Sequence, residues 1–290
     1  MAGLLRHWHF CQSHHASSFA PWHVGNGAAG FLRHDLAQSL VAEKLFHATE
    51  KKLFLAHATG DLSDNTKLLK NAAHHVQQKF FPQQQFYREL YDIKPAWDAP
   101  ARALLDRTAM PWFGAPAWGL HVNGFVRRDR DIFLWIGERS PHLVVDPLKL
   151  DHLFAGGQPT GLTLQENLRK EGQEEANLPP LLVDQAKLIK TIHYKRDVPS
   201  GLRNDHLFVY DLEMPEHVTP ENTDGEVSRF TLMPAQDVLS IIRTTDRFKF
   251  NCALVIIDFC LRHGLLRHDD DEYDELVKVF GEKLDCKNAL

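Results

Sequence analysis

Between Gly156 and Leu178 the chain reads GGQPTGLTLQENLRKEGQEEANL, and no other stretch limits its fold as tightly. Leu153-Phe154-Ala155 ends a strand, Gly156-Gly157 and the turn at Pro159-Thr160-Gly161 make a loop, and a helix follows. Thr163 or Thr160 can cap that helix, because a hydroxyl oxygen accepts from the free N–H groups of a first turn. The helix carries Glu171, Glu174 and Glu175 within five residues. At about 100° per residue, with Glu171 at zero, Glu175 falls near 40° and Leu164 and Leu168 near 20° and 60°. The leucines mark the buried stripe, so Glu171 and Glu175 lie on its border, and Lys170, Glu166 and Gln173 hold the outward face. Partly desolvated like charges repel unless a cation sits between them. Hard divalent cations take such oxygen ligands, Mg²⁺ with substrate phosphates beside them. A solvated acidic helix face is the competing reading of the same spacing.

With its loop, the helix resembles the signature of the Nudix hydrolases, G-x5-E-x7-R-E-U-x-E-E-x-G-U, where U is a bulky aliphatic. Gly156 takes the first glycine, Glu171, Glu174 and Glu175 the core glutamates, and Leu178 the last aliphatic. Leu162 stands at the first glutamate, Lys170 at the arginine, Gly172 at an aliphatic and Asn177 at the last glycine. Asn tolerates a left-handed helix end. Lys lacks the planar fork of Arg. Gly172 costs about 1 kcal/mol against Ala inside a helix but lets a strand approach. The segments FYRELYDI (86–93), GLHVNGFV (119–126), LWIGERS (134–140), DPLKLDHLFAGGQPTG (146–161), KEGQEEANLP (170–179), LFVYDLEMP (207–215) and NTDGEVSRFTLM (222–233) occur in that order. The string is similar to the Nudix subfamily that stands alone in bacteria, yeast and plants and is fused to thiamine pyrophosphokinase in some fungi.

The resemblance implies an α/β chain, an α+β Nudix sandwich with a mixed sheet between helices. It implies hydrolysis of a diphosphate linked to an organic group, with thiamine diphosphate or its damaged analogues as the substrate class. Mg²⁺ or Mn²⁺ would be held by Glu171, Glu175, Glu174 and the Gly156 carbonyl. Glu171, Glu174 and Glu226 are the candidate catalytic carboxylates, Glu226 because it enters a strand after the turn at Asp224-Gly225. Arg139 and Lys149 are candidates for phosphate oxygens, Arg as a fork and Lys as a point charge. Trp135, His121 and Asn123, on strands, are candidates for an organic pocket. A catalytically weak binding or regulatory module is the alternative that Leu162 and Lys170 motivate. A prenyl-diphosphate isomerase ranks behind both, because no cysteine lies between residues 12 and 251.

At 290 residues, 43% hydrophobic and 24% charged, the chain suits a soluble globular protein. A net charge of −5 gives no general pull toward nucleic acid or an anionic membrane. No apolar run nears the ~20 residues of a membrane helix, and MAGLLRHWHF has no signal core. Cys11, Cys252, Cys260 and Cys286 match no disulfide or zinc spacing and fit a reducing cytoplasm, with Cys252 and Cys260 in the core. Three parts are expected. Residues 1–118 form a smaller N-terminal α+β domain, opening with a polar, His-rich lead-in over 1–25 and closing with a loop over 98–119. Residues 119–245 form the Nudix domain, in which LVVD (143–146) is extended. Residues 246–290 add helices, the last over Tyr273–Leu284. The N-terminal part, rich in aromatics, is expected to wall the organic group of a small-molecule diphosphate, in a monomer or homodimer.

Overall fold

The computed structural model describes residues 3–143 and 145–281. Its first part contains α1 (Leu5–Cys11), β1 (Phe19–Val24), β2 (Gly27–Arg33), α2 (His34–Ala42), β3 (Phe46–Ala48), β4 (Leu53–Leu55), α3 (Leu62–Phe80), β5 (Leu90–Ile93), β6 (Ala103–Asp106) and α4 (Met110–Phe113). Strands β2-β1-β4-β3 make one sheet, and β5 and β6 a two-stranded ribbon. The helical period over residues 68–80 gives α3, which starts where Asp61 accepts the Asp64 N–H at 2.9 Å. Leu69, Ala72, Ala73 and Val76 of α3 close a core around Trp22, Phe46 and Phe113.

Two expectations for this part are corrected. Over its described residues the segment 1–25 is no polar lead-in: Leu4, Leu5 and Cys11 are buried in a core built with the helices over residues 235–281. His7 finds a partner there, its Nε2 2.9 Å from the Ile242 carbonyl. The segment over 98–119 is no open loop either. It holds β6 and α4, and its Pro111 and Gly114 punctuate a helix, proline in the first turn and Gly114 as left-handed cap at φ 52°.

The second part contains β7 (Pro116–Arg128), β8 (Asp131–Arg139), β9 (Leu150–Asp151), β10 (Phe154–Gly157), α5 (Leu164–Ala176), α6 (Pro180–Val183), β11 (Lys187–Val198), β12 (Gly201–Glu213), β13 (Val227–Pro234), α7 (Ala235–Thr244), α8 (Cys252–Arg262) and α9 (Tyr273–Gly281). The sheet runs β11-β12-β7-β8-β13, with β10 on β7 and β9 on β8. β7 and β12 are parallel and the other pairs antiparallel, so the sheet is mixed. Alternation along β7 divides the side chains between two faces. Trp118, Leu120 and Val122 share a core with Leu168 and Ala176 of α5 and Leu182 and Val183 of α6. Phe125 shares one with α7, α8, α9 and α1. A mixed sheet between helices is the α+β architecture that the resemblance implies.

The segment over 143–146 is a turn rather than an extended strand, with Val144 outside the described residues. Asp146 and Leu148 have φ of 48° and 62°. The cause is Arg139, whose Nη2 donates to the Val145 carbonyl at 2.9 Å and whose Nε donates to that of Asp146 at 3.2 Å, folding the turn back on β8. The final helix is described to Gly281; Lys283, Leu284 and Cys286 lie outside the described residues. Among the described residues no helix is long and apolar enough to cross a membrane.

Candidate functional site

Helix α5 is fixed at both ends and along one side. Thr163 caps it: its Oγ1 accepts the Glu166 N–H at 3.2 Å, and Glu166 Oε2 accepts the Thr163 N–H at 2.8 Å. At the other end Asn177 sits at φ 52°, with its N–H on the Gln173 carbonyl and the Leu178 N–H on that of Gly172. Gly172 permits the close approach of the helix to its neighbours, for a Cβ there would lie 2.8 Å from Val183 Cγ2 and 3.1 Å from the Phe154 ring. Gly156 and Gly157, expected in a loop, instead pair with β7 as the end of β10, and that end is braced from α5 by Asn167, whose Nδ2 donates to the Gly157 carbonyl at 2.9 Å and to Gln158 Oε1 at 3.1 Å. Gln158 Nε2 in turn donates to the Leu162 carbonyl at 2.7 Å.

The helical phase brings Glu171 and Glu175 to the glycine strand, each with 9% of its surface exposed, while Glu174 is exposed. Glu171 lies against Gly156, where an added Cβ would be 2.2 Å from its carboxyl carbon. Glu175 Oε2 accepts the Ala155 N–H at 3.0 Å. Burial raises the Glu171 carboxyl above its ordinary pKa, against the pull of Lys170 and with the charges of Glu174 and Glu89 adding to it. Burial raises Glu175 well above its ordinary value, the Glu171, Asp151 and Glu226 charges adding and the Ala155 N–H opposing. The pair is therefore short of positive charge. Lys170 supplies some of it, its Nζ 3.0 Å from Glu171 Oε1 and 2.8 Å from Glu174 Oε2.

The other candidates divide. Glu226 is exposed, beside the carbonyl that takes the Ser140 N–H, and its charge reaches Glu175. Arg139 has its fork committed to Asp151, at 2.9 Å, and to the two turn carbonyls. The Lys149 ammonium donates to the Asp246 carbonyl, toward α7 and α8. Trp135 is buried on the α5 face, its indole N–H without a partner among the described residues. His121 alternates with Leu120 and Val122, so it turns to the α8 face and packs on His152, away from the glutamates. Asn123 also faces α8, donating to Asp211 at 3.0 Å.

Sequence reasoning missed the side chains that the N-terminal part brings to the loop. Thr160 N–H donates to the Leu90 carbonyl at 2.8 Å, which docks β5 on the turn. The Tyr91 hydroxyl lies against Gly157, buried. Lys94 Nζ stands 4.0 Å from the Trp97 ring centroid and 5.2 Å from that of Trp118, and Trp118 stacks on His206 at 5.5 Å. The only sequence signal for this group is the aromatic richness of residues 80–118.

Residues 3–117 match a family described as a domain of unknown function, DUF4743. Among curated proteins, the chain is 45% identical over 190 residues to "Nudix hydrolase 24, chloroplastic" of Arabidopsis thaliana, covering 66% of this chain and 52% of that protein. It is 45% identical over 198 residues to "Nudix hydrolase 20, chloroplastic" of the same plant, covering 68% of this chain and 53% of that protein. The chain thus spans about half the length of these relatives. Of solved structures, DR0079 from Deinococcus radiodurans aligns at 22% identity and a TM-score of 0.44, over 58% of this chain and 97% of that one.

Proposed function

We propose that the chain belongs with the Nudix hydrolases and that it hydrolyses a diphosphate linked to an organic group, with a divalent metal ion as cofactor. The observation that carries this reading is the buried pair Glu171 and Glu175 on α5, facing the Gly156 strand with their carboxyl pKa values raised. The donor set fits Mg²⁺ or Mn²⁺: it is all hard oxygen, has Lys170 as a partial counter-charge, and keeps spare oxygens after the Lys170 and Ala155 contacts. Glu171, Glu175, Glu174 and the Gly156 carbonyl would hold the ion. When bound, it offsets the diphosphate charge and acidifies water.

The chain's own groups do the rest. Lys170 holds Glu171 and Glu174 in one geometry from a single ammonium. Asn167 and Gln158 keep the glycine loop in place. Glu226, exposed at the rim, or Glu174 takes the proton of the attacking water. Lys94, Trp97, Trp118 and Tyr91 wall the organic group beside the loop; a cation over aromatic faces suits a flat ring bearing phosphates. Thiamine diphosphate or its damaged analogues are the substrates we assign, on the order of the sequence segments.

The same reading divides the chain into an N-terminal α+β unit over 1–118, the hydrolase unit over 119–245 and helices over 246–290, acting as monomer or homodimer. A separate core over residues 22–115 supports it; α1 crosses the division. Buried free thiols at Cys11, Cys252 and Cys260 support a reducing, cytoplasm-like setting. One observation favours the second reading, a catalytically weak binding module: Lys170 already neutralises part of the glutamate cluster. The test is a release assay over a panel of diphosphates with Mg²⁺ or Mn²⁺. Turnover that stops in excess chelator supports the hydrolase. Turnover unaffected by chelator refutes the metal dependence, and binding without turnover establishes the module.

A further inference from the structure

A second cluster of ligating side chains lies on the other face of the sheet. His121 of β7, His152 between β9 and β10, and Cys252 at the start of α8 are all buried, and one ligand atom from each lies within 4.8 Å of the others. The Nδ1 atoms of the two histidines are 3.1 Å apart, with their rings at 83°. The Cys252 thiol donates to Asp151 Oδ1 at 2.6 Å, and Asp151 is held by Arg139 at 2.9 Å and Lys249 at 3.3 Å. His152 Nε2 is buried with no hydrogen-bonding partner among the described residues. The unsatisfied nitrogen of His152 is Nε2, while its Nδ1 is the one that meets His121.

We propose that His121, His152 and Cys252 form a transition-metal site of the class that takes Zn²⁺, separate from the carboxylate cluster on α5. Two nitrogens and a sulfur select zinc-like ions, whereas Mg²⁺ and Mn²⁺ prefer oxygen. Two ligands of one tetrahedral ion at about 2.0–2.1 Å stand roughly 3.3 Å apart, close to the separation of the two Nδ1 atoms. Burial, with His152 and Lys249 adding, pushes His121 well below the usual imidazole range, so it is kept in the neutral form a ligand needs. Burial and the Asp151 charge push the Cys252 thiol up, so the metal displaces its proton to solvent as the sulfur–metal bond replaces the S–H···O contact. Asp151, fixed by Arg139 and Lys249, positions the sulfur. The three ligands come from β7, from the segment leading into the glycine strand, and from α8, so a bound ion ties that strand to the helix behind it.

The test uses the full chain, without a histidine tag, and Co²⁺ as spectroscopic probe. We expect one equivalent of Co²⁺ to give tetrahedral visible bands with a near-ultraviolet thiolate charge-transfer band, both removed by Zn²⁺. Zn²⁺ should raise the thermal midpoint of the parent chain. In Cys252→Ser the charge-transfer band should vanish and Zn²⁺ affinity fall by more than the roughly 100-fold that loss of an outer-shell partner costs. His121→Gln should weaken binding while keeping the sulfur, and Glu175→Gln should leave the spectrum intact. A folded parent chain that takes up no Co²⁺ after refolding with it, or takes it up without the thiolate band, overturns the proposal. So does a thiolate band that survives Cys252→Ser, which would place the metal on another cysteine. None of these readouts uses turnover, so the hydrolase reading stands or falls apart from them.

Discussion

Gly156→Ala separates the site from the fold. An alanine Cβ at this position would stand 2.2 Å from Glu171 Cδ and 2.6 Å from its Cγ and Oε1, against ordinary contacts that begin at 3.4 Å. The carboxyl must therefore withdraw by at least the difference, 3.4 − 2.2 = 1.2 Å. Misplacing a reacting group by 1 Å costs on the order of 100-fold in rate, so kcat/KM for a diphosphate with Mg²⁺ should fall by about that factor or more. Stability should move little. The atom that gives way is the end of a flexible side chain, and the residue sits in β10 without a positive φ. Overpacking costs about 1–3 kcal/mol at most sites, offset here by about 0.4–1 kcal/mol from a stiffer unfolded chain. Gly172→Ala is the contrast, since its Cβ meets Val183 and Phe154 in a packed core. It should lose up to about 2 kcal/mol, the overpacking cost of about 1–3 kcal/mol less the about 1 kcal/mol that Ala gains inside a helix, and far less turnover. The assay is phosphate release beside thermal melting for both variants. A folded Gly156→Ala with parental kcat/KM would refute the placement of Glu171 in the reacting site.

Glu175→Gln should lower turnover by orders of magnitude in a folded protein, while Glu166→Gln, on the outward face, keeps both activity and its capping hydrogen bonds; equal losses would sink the assignment. Trp97→Ala should change the kcat/KM ratio between two diphosphates with different organic groups; an unchanged ratio would remove Trp97 from the pocket. Burial alone would raise the Asp211 carboxyl, but the His263 imidazole 3.5 Å away, hydrogen bonds from Arg262 and Asn123 and the Arg262 charge outweigh it and hold it below the ordinary carboxylate value. A depressed carboxyl stabilises the fold above its unfolded value and loses that contribution as pH falls through the folded one. Asp211→Asn should therefore cost about 3 kcal/mol at neutral pH, and the gap in denaturant midpoints should narrow as pH falls through the depressed folded value; a gap independent of pH would show that charge is not its source.

The phase of α5 was legible because a 3.6-residue period and two leucines fix which way each glutamate points, and Glu171 and Glu175 are buried while Glu166 and Gln173 are exposed. The strands from β7 to β13 were legible from alternation and turn residues. Alternation gave the parity of His121 but not which face α5 would cover; that depends on β10 pairing with β7. Arg139 and Lys149 looked free because a sequence does not show the carbonyls that use them. The Val145-Asp146 turn, pulled back by Arg139, read as a strand for the same reason. Tyr91 and Lys94 reach the loop only through the docking of β5 on Thr160. Cys252, remote in sequence from His121 and His152, meets them because α8 crosses behind β7.

Helix α1 carries a consequence for synthesis. Glu272 accepts the N–H groups of Leu4 and Leu5 at 2.7 and 3.0 Å, across separations of 268 and 267 residues. The apolar stripe of α1 packs on α7 and α8 as well, both of which are made late. At about 20 residues per second, the fastest ordinary rate, roughly 13 s pass between the emergence of Leu5 and that of Glu272. Within that interval the strands and helices over residues 19–115 can close their own core, while Leu4, Leu5 and Cys11 wait for their partners. Helix α1 is thus made before the helices it packs on and docks only after them.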